Sequence, residues 1–206
     1  MNNKQKKPAI VFLSTLGIVF ALALVVYIIL FFILNNNRPK TSGEVYLYEP
    51  DYSVDIMQDE DYLVLDRSVK YSDGIGSWPI SDLNGVYTQN DVQLFLIDYI
   101  DDLVAGDALS IREKYSENVL KALKFPEKFT QQRVYDIMFT ELSREEINEG
   151  NNTYFRYEFK AEYKIMRNDG TFRRDLASDS IKGQYLTIEH RDDEIKITKV
   201  VEYAVK

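Results

Sequence analysis

Four side chains beyond residue 90 are the candidates for acid–base chemistry. Asp98, Asp101 and Asp102 lie close together in the sequence, and His190 is the only histidine of the 206-residue chain. A carboxylate in an apolar pocket can have a raised pKa and act as a general base, and histidine titrates near neutral pH. General-base catalysis also needs a group that orients the base and a pocket for the substrate. The three aspartates fall between the apolar positions of a helical pattern, so we favour a solvated helix face for them.

Other kinds of catalytic or metal site find little support in the sequence. The acidic run Asp59-Glu60-Asp61 could hold a cation, but calcium sites need alternating oxygen ligands around a glycine turn. We therefore predict a solvated acidic loop there, able to order against a partner. The chain has no cysteine, and a single histidine cannot build a zinc site. Phosphate-binding loops and nucleophile elbows are absent from the sequence. We predict no catalytic residues, no cofactor, no metal site and no enzymatic activity.

An apolar run from Ala9 to Leu34 precedes the part of the chain that carries these candidate residues. It carries no charge and exceeds the roughly 20 apolar residues that a bilayer-spanning helix needs. A cleaved signal peptide is the alternative, with Ala21-Leu22-Ala23 as the cleavage site, but the run is longer than the about 7–15 apolar residues of such peptides. We therefore predict one uncleaved transmembrane helix over residues 9–34.

The distribution of charge predicts the orientation and the partners. Lys4, Lys6 and Lys7 precede the apolar run, and basic residues favour the cytoplasmic side. Residues 1–8 are therefore expected in the cytoplasm and the carboxy-terminal domain outside the cell membrane. All 33 acidic residues but only 20 of the 25 basic ones lie beyond residue 40, which leaves that part with a net charge of −13. Such a surface disfavours direct nucleic-acid binding, because phosphate contacts need Lys and Arg.

The remaining chain divides into a polar linker at 35–43, an acidic loop-rich segment with short strands at 44–89, and an α+β domain at 90–206. Extended pieces are expected at Val45 and Leu47 and again over Leu63–Leu65. Trp78 is expected to pack over the domain, since an exposed tryptophan would instead indicate a contact surface.

Two helices open the predicted domain. Asn90 and Gln93 form a capping-box pattern, and Gly106 provides a stop signal. Apolar residues recur at helical spacing between them, and Phe95, Ile97 and Val104 widen the apolar face, which predicts a well-buried helix. Asp107 is expected to cap a second helix from Ala108 to about Leu123.

Alternating patterns then predict an antiparallel sheet. A strand is expected from Arg133, with Tyr135, Ile137 and Phe139 on one face, although a helix is the alternative there. A polar connection follows at 143–152, and the next strand runs from Tyr154 to Met166 with Tyr154 on its polar face. Asn168-Asp169-Gly170 predicts a hairpin turn, with a return strand over 171–191 that is interrupted near 178–183, and a last strand over 194–203. Helices packed on one face of this sheet give an α+β fold.

This order resembles the nuclear transport factor 2-like (cystatin-like) superfamily, on the closing hairpin Gln184–Glu189 and Asp192–Val200. The family often has a tryptophan in the second strand, where this chain reads Glu194-Ile195-Lys196-Ile197. A short cytoplasmic tail, one membrane helix and one such domain resemble the assembly-factor subunits of bacterial type IV secretion systems and their TcpC-like relatives in Gram-positive conjugative elements.

The resemblance implies a non-enzymatic scaffold subunit of a conjugative DNA-transfer complex. It would be anchored by residues 9–34, contact other membrane subunits outside the membrane, and form a homo-oligomer through exposed sheet positions such as Tyr154. The alternative is a membrane-anchored extracytoplasmic ligand-binding or sensory module that uses a cavity of the domain. A deep apolar pocket favours this alternative, and an interior filled by its own side chains favours the scaffold.

Overall fold

A computed structural model describes residues 47–81, 89–150 and 152–202. The predicted tail, membrane helix and linker at 1–8, 9–34 and 35–43 lie outside these ranges, as does Val45. Among the helices of the described ranges, none has the length and apolar character needed to cross a membrane. Those ranges contain a 3₁₀ helix and the following elements: α1 Glu60–Leu63, β1 Val69–Ser72, β2 Ser77–Pro79, α2 Asp91–Ala105, α3 Ala108–Glu113, α4 Glu117–Leu123, β3 Arg133–Glu149, β4 Asn152–Met166, β5 Gln184–Arg191 and β6 Glu194–Glu202.

The strands form one open, curved, six-stranded sheet in the order β2-β1-β3-β4-β5-β6, which confirms the α+β class. Four of the neighbouring pairs are antiparallel, but β1 runs parallel to β3, with Val69 opposite Ile137. The sheet is therefore mixed, and the expectation of a purely antiparallel sheet was wrong. The parallel pair arises because β1 precedes the helices in sequence and enters the sheet beside β3.

The helix α2 begins and ends where its signals predict. The Asn90 side chain accepts from the Gln93 backbone N–H at 2.9 Å, and the Gln93 side chain accepts from the Asn90 N–H at 3.2 Å. Gly106 ends the helix in the left-handed conformation at φ 71°, which glycine adopts without the steric cost that a Cβ brings.

The second predicted helix is two helices. Asp107 caps α3 as expected and accepts from the Leu109 and Ser110 N–H groups. The chain then leaves the helix at Lys114–Ser116, because this stretch pairs with the edge of β6. Ser116 N–H donates to the Ile197 carbonyl at 2.9 Å, and Ile197 N–H donates to the Lys114 carbonyl at 2.8 Å.

A long hairpin of β3 and β4 replaces the predicted connection at 143–152. The ladder continues from Arg133 opposite Met166 to Glu149 opposite Asn152. A bulge at Asp136, with φ 50°, shifts the register between Tyr135 and Met138. Tyr135 consequently faces away from Ile137 and Phe139, contrary to the simple alternation, and its ring lies beneath the Lys164 ammonium at 5.4 Å.

The predicted hairpin at 168–170 is instead a loop spanning 167–183, and the return strand begins only at Gln184. Asn168 is 1 % exposed and organises this loop. Its amide Nδ2 donates to the carbonyls of Arg173 at 2.7 Å and Leu176 at 2.6 Å. These buried hydrogen bonds take the place of the ladder that a tight hairpin would form.

The acidic segment before α2 contributes to the same sheet and core. Residues 63–65 are not extended, since Leu63 ends α1 and Val64 caps it. Tyr62 is fully buried, and its hydroxyl donates to the Val134 carbonyl at 3.0 Å. The short strands of this segment lie at 69–72 and 77–79 and not at the predicted positions. Tyr71 of β1 is 3 % exposed within the main apolar core.

Candidate functional site

The four acid–base candidates line one open groove, here called the acidic groove. It has a volume of about 750 Å³ and lies between α2, α3 and the β5–β6 turn. Besides Asp98, Asp101, Asp102 and His190, its charged residues are Asp91, Glu113, Lys114, Asp192, Asp193 and Lys196. The fold thus brings His190 to residues about 90 positions away in sequence, which no local pattern could indicate.

The aspartates of this groove differ in their surroundings. Asp102 forms an ion pair with Lys114 at 2.5 Å, with both side chains about one-fifth exposed. Asp98 and Asp101 are exposed at the groove surface. Desolvation and the neighbouring charges of Asp98 and Asp102 raise the pKa of Asp101. The predicted solvated stripe is confirmed for Asp98 and Asp101, whereas Asp102 is committed to an ion pair.

His190 lacks the surroundings of a general base. It is partly exposed on β5, opposite Phe155 on one side and Ile195 on the other. Within the part of the chain that the structure describes, no side chain hydrogen-bonds to its imidazole. A base that nothing orients is poorly placed to take a proton from a defined atom. The acidic groove carries seven carboxylates and is suited to attracting cations.

The acidic run at 59–61 binds guanidinium groups of the chain itself. The Asp59 carboxylate caps α1 and accepts from Arg133 Nε at 2.8 Å and Arg167 Nη1 at 2.9 Å. Burial would raise the pKa of Asp59, but these two guanidinium groups outweigh it and lower that pKa. Asp61 pairs with Arg167 at 2.9 Å. The prediction of a solvated loop was therefore wrong for Asp59, which joins α1 to Arg133 of β3 and to Arg167, the residue after β4.

A second concave site was not foreseen from the sequence. This site, here called the α2–β1 cleft, has a volume of about 680 Å³ and lies between α2 and the chain that leads from α1 into β1. The wall on α2 consists of Ile97, Ile100, Asp101 and Val104, which share one helix face. Ile97 and Val104 are only partly buried, although the sequence predicted a well-buried helix. Ile97 and Val104 widen the apolar stripe of α2 beyond its buried residues, and this was the sequence signal that could have indicated the cleft.

The opposite wall of the cleft carries one cation. The Arg67 guanidinium lies 5.5 Å from the centroid of the Tyr62 ring, and both residues line the cleft. Desolvation raises the pKa of Tyr62 to about 12, so its hydroxyl stays neutral and keeps its hydrogen bond to Val134. The neighbouring Asp66 is already engaged by Lys70 at 2.6 Å.

Around Tyr99 and Tyr115 the space between α2 and the sheet is filled by side chains of the protein, whereas beside Val134 and Ile137 it opens into the α2–β1 cleft. Tyr99 and Tyr115 are 1 % and 5 % exposed, and their hydroxyl oxygens lie 2.9 Å apart. Desolvation raises the pKa of both tyrosines. Further aromatic rings continue this packing, with Tyr115 against Phe125 and Phe125 against Phe172. A ligand could enter this interior only by displacing these rings.

Two further predictions concern the single residues Tyr154 and Trp78. Tyr154 is only 4 % exposed, with the Arg191 guanidinium 3.4 Å above its ring, so its proposed role as an exposed pairing position was wrong. Phe155, its neighbour, is 40 % exposed instead. Trp78 packs on the core as predicted, 5.3 Å from the ring of Tyr71.

Comparisons with known proteins do not assign the chain to a family. No model of a known family matches the sequence, and no curated protein is similar to it. Among the described residues, no cluster of histidine, aspartate and glutamate side chains could hold a metal ion.

Proposed function

We propose that this protein is a membrane-anchored, non-enzymatic scaffold subunit of a bacterial type IV secretion or conjugative DNA-transfer complex. In this proposal residues 9–34 span the cell membrane with the amino terminus in the cytoplasm. The folded domain lies outside and acts through contacts with other membrane subunits and with further copies of itself. It is assigned to the nuclear transport factor 2-like class on the resemblance of its closing hairpin and its order of elements.

The filled interior of the domain is the observation that carries this proposal. Tyr99 and Tyr115 occupy the space between α2 and the sheet, where a ligand-binding or catalytic relative would need a cavity. The acid–base candidates lie in an open groove, with Asp102 neutralised by Lys114 and His190 unoriented by any described side chain. A domain with a filled core and a strongly charged exterior is suited to protein contacts.

The charge of the domain supports the absence of direct contact with DNA. Beyond residue 40 the chain carries 33 acidic and 20 basic residues. Nucleic-acid binding needs basic residues that replace the counterions of phosphates. A scaffold role in a DNA-transfer complex is compatible with this charge because other subunits would contact the DNA.

The orientation is tested by protease accessibility on intact cells that carry the full-length protein with a carboxy-terminal tag. The proposal expects the tag and the domain to be cleaved by external protease, while a cytoplasmic marker protein stays intact. Protection of the domain until the cells are lysed would contradict the proposal.

The scaffold role is tested by affinity purification of the full-length protein from solubilised native membranes, followed by mass spectrometry. A single-pass membrane protein of similar length with the same tag is the matched control. The proposal expects a secretion ATPase and polytopic channel subunits to be enriched over the control. Recovery of the protein alone, or with signalling or cell-wall proteins, would contradict it.

A ligand-binding module is the second candidate, and the α2–β1 cleft is the observation that favours it. Ligand sites in proteins typically have volumes of about 300–1,000 Å³ with apolar walls and a few polar groups. The cleft of about 680 Å³ has these properties. It lies beside the filled interior, so both candidates can describe the same domain.

A further inference from the structure

The α2–β1 cleft is an open concavity with a volume of about 680 Å³. This volume lies within the range of about 300–1,000 Å³ that is typical of ligand sites. Val134 and Ile137 of β3 form its base, and both are at most 1 % exposed. The base and the wall on α2 are therefore built from ordered elements of the sheet and the longest helix.

Apolar surface remains accessible on both sides of the cleft. Ile97 and Val104 on α2 and Leu65 on the opposite wall are partly exposed, although Ile97 and Val104 pack against the core. Covering apolar surface is favourable because it removes that surface from water. An apolar ligand body placed between these walls would gain this stabilisation without displacing a buried side chain.

The wall opposite α2 carries the positive charge of Arg67. Arg67 forms no ion pair with any described carboxylate, and its one hydrogen-bond acceptor there is the weakly accepting Met57 sulfur at 3.9 Å. Asp66 does not neutralise it, because hydrogen bonds from Lys70 and Ser68 hold that carboxylate. Asp101 belongs to the opposite wall and also lines the acidic groove. A ligand in the cleft therefore meets a guanidinium that no described carboxylate pairs with.

We propose that the α2–β1 cleft binds a small amphipathic carboxylate, with its apolar body against Ile97 and Val104 and its carboxylate on Arg67. Guanidinium groups suit this role because their planar donors match the two oxygens of a carboxylate. The Arg67 guanidinium lies over the ring of Tyr62, which also lines the cleft. The inference concerns the cleft alone, so it does not depend on assembly with a secretion complex.

The test compares two probes of the same shape that differ in charge, 2-naphthoate and uncharged 2-naphthamide. Binding is measured by calorimetry with the full-length protein in phosphatidylcholine nanodiscs, and empty nanodiscs give the blank. The proposal expects saturable binding of one 2-naphthoate per chain. It expects 2-naphthamide to bind about tenfold more weakly, since a hydrogen bond to a charged group is lost.

Two variants separate the charge from the apolar walls. Arg67→Gln is expected to weaken 2-naphthoate binding about tenfold and to remove the preference over 2-naphthamide. Arg174→Gln, at an exposed arginine outside the cleft, is the matched control and should leave both affinities unchanged. Ile97→Trp places an indole ring on the apolar wall and should weaken the binding of both probes by obstructing the position of the ligand body, while Leu109→Trp, at a 74 % exposed helix position, should leave both affinities unchanged.

Several results of these binding measurements would contradict the proposed ligand site. Absence of saturable binding, equal affinity of the wild-type protein for the two probes, or a preference that persists in Arg67→Gln would each overturn it. If Ile97→Trp does not fold, Val104→Phe tests the apolar wall in its place, and unchanged affinity in that variant would contradict the proposed position of the ligand body. Affinity purification measures the scaffold role separately, so failure of either test leaves the other interpretable.

Discussion

The hydroxyl groups of Tyr99 and Tyr115 meet 2.9 Å apart in the interior, where each satisfies the other. Replacing either by phenylalanine leaves one buried hydroxyl without its partner. We expect Tyr99→Phe to lower the free energy of unfolding by about 1–2 kcal/mol. The measurement is urea unfolding of the full-length protein, followed by the fluorescence of Trp78, the only tryptophan in the chain.

The matched control is Tyr52→Phe, because Tyr52 is 54 % exposed and its hydroxyl meets solvent. This variant should change the free energy of unfolding by less than about 0.5 kcal/mol. The double variant Tyr99→Phe/Tyr115→Phe should cost less than the sum of the two single variants, since no hydroxyl is left unpaired. Additive losses would show that the two hydroxyl groups do not interact.

Asp175 gives the clearest dependence on pH. Burial would raise its pKa, but hydrogen bonds from Arg173 and Lys182 outweigh burial and lower that pKa to about 2, against an ordinary value of 3.8. Because the folded pKa is the lower one, this contribution to stability is present above the unfolded pKa and disappears as pH falls from about 4 to 2.

We therefore expect Asp175→Asn to cost about 2 kcal/mol at pH 6, where the variant leaves the buried Arg173 without its carboxylate. The difference from wild type should shrink between pH 4 and pH 2, as measured by urea unfolding across this range. Other carboxylates titrate in both proteins and cancel in the difference. A difference that stays constant with pH would contradict the assigned pKa.

Residue chemistry alone identified only part of the candidate sites. The exposure of Asp98 and Asp101 followed from their positions between apolar residues of one helix, which is local information. Two ion pairs depend on contacts between different segments of the chain. They join Asp102 to Lys114 and Asp59 to Arg133. Such contacts have no periodic signature, so the sequence could not predict them.

At the scale of elements, Gly106 sets the angle between α2 and α3. Its φ is 71°, and a Cβ there would lie 2.9 Å from the backbone nitrogen of Gln131. Gly106→Ala should therefore lower the free energy of unfolding by about 2 kcal/mol or more, through the left-handed backbone and the steric clash. The measurement is the urea unfolding curve of the full-length protein.

Gly76→Ala is the matched control for this prediction. Gly76 has no positive φ among the described backbone angles, and no atom lies within 4 Å of a Cβ placed there. Its substitution should leave stability within about 0.5 kcal/mol of wild type. Equal losses in the two variants would show that the conformation at Gly106 is not the cause.

The attachment of α1 to the sheet is a second prediction at this scale. Asp59 caps α1 and pairs with Arg133 and Arg167, whereas the Asp61 side chain is 73 % exposed and pairs with Arg167 alone. Asp59→Ala should cost about 2–3 kcal/mol through the lost cap and the uncompensated Arg133. Asp61→Ala should cost less than about 0.5 kcal/mol, as is typical of exposed pairs. Comparable losses in urea unfolding would contradict this difference.

Elements with strong local signals were predicted well, and elements made by long-range pairing were not. The capping box and Gly106 gave the limits of α2. In contrast, polar residues at 143–152 indicated a connection, yet β3 and β4 pair along this stretch, and β5 pairs with β4 as far as Phe155 opposite His190. The break between α3 and α4 was missed because it is caused by pairing with Ile197 of β6.

At the scale of the whole molecule, the described residues all belong to one compact unit. The α+β class was predictable because α2 and β4 have clear periods of 3.6 and 2. The mixed character of the sheet was not, because β1 and β2 are strands of only four and three residues that come before the helices. Segments this short give no reliable alternation.

The proposed place of the molecule in an envelope complex rests on its predicted anchor, its charge and its filled interior. Its most direct test is the frequency of conjugative DNA transfer from donor cells that lack the chain. The scaffold proposal predicts that transfer falls at least a hundredfold and returns with the full-length protein. It also predicts that His190→Ala and Asp98→Asn restore transfer as fully as wild type, because these side chains perform no catalysis. Transfer that continues at the normal frequency without the chain would contradict the scaffold role.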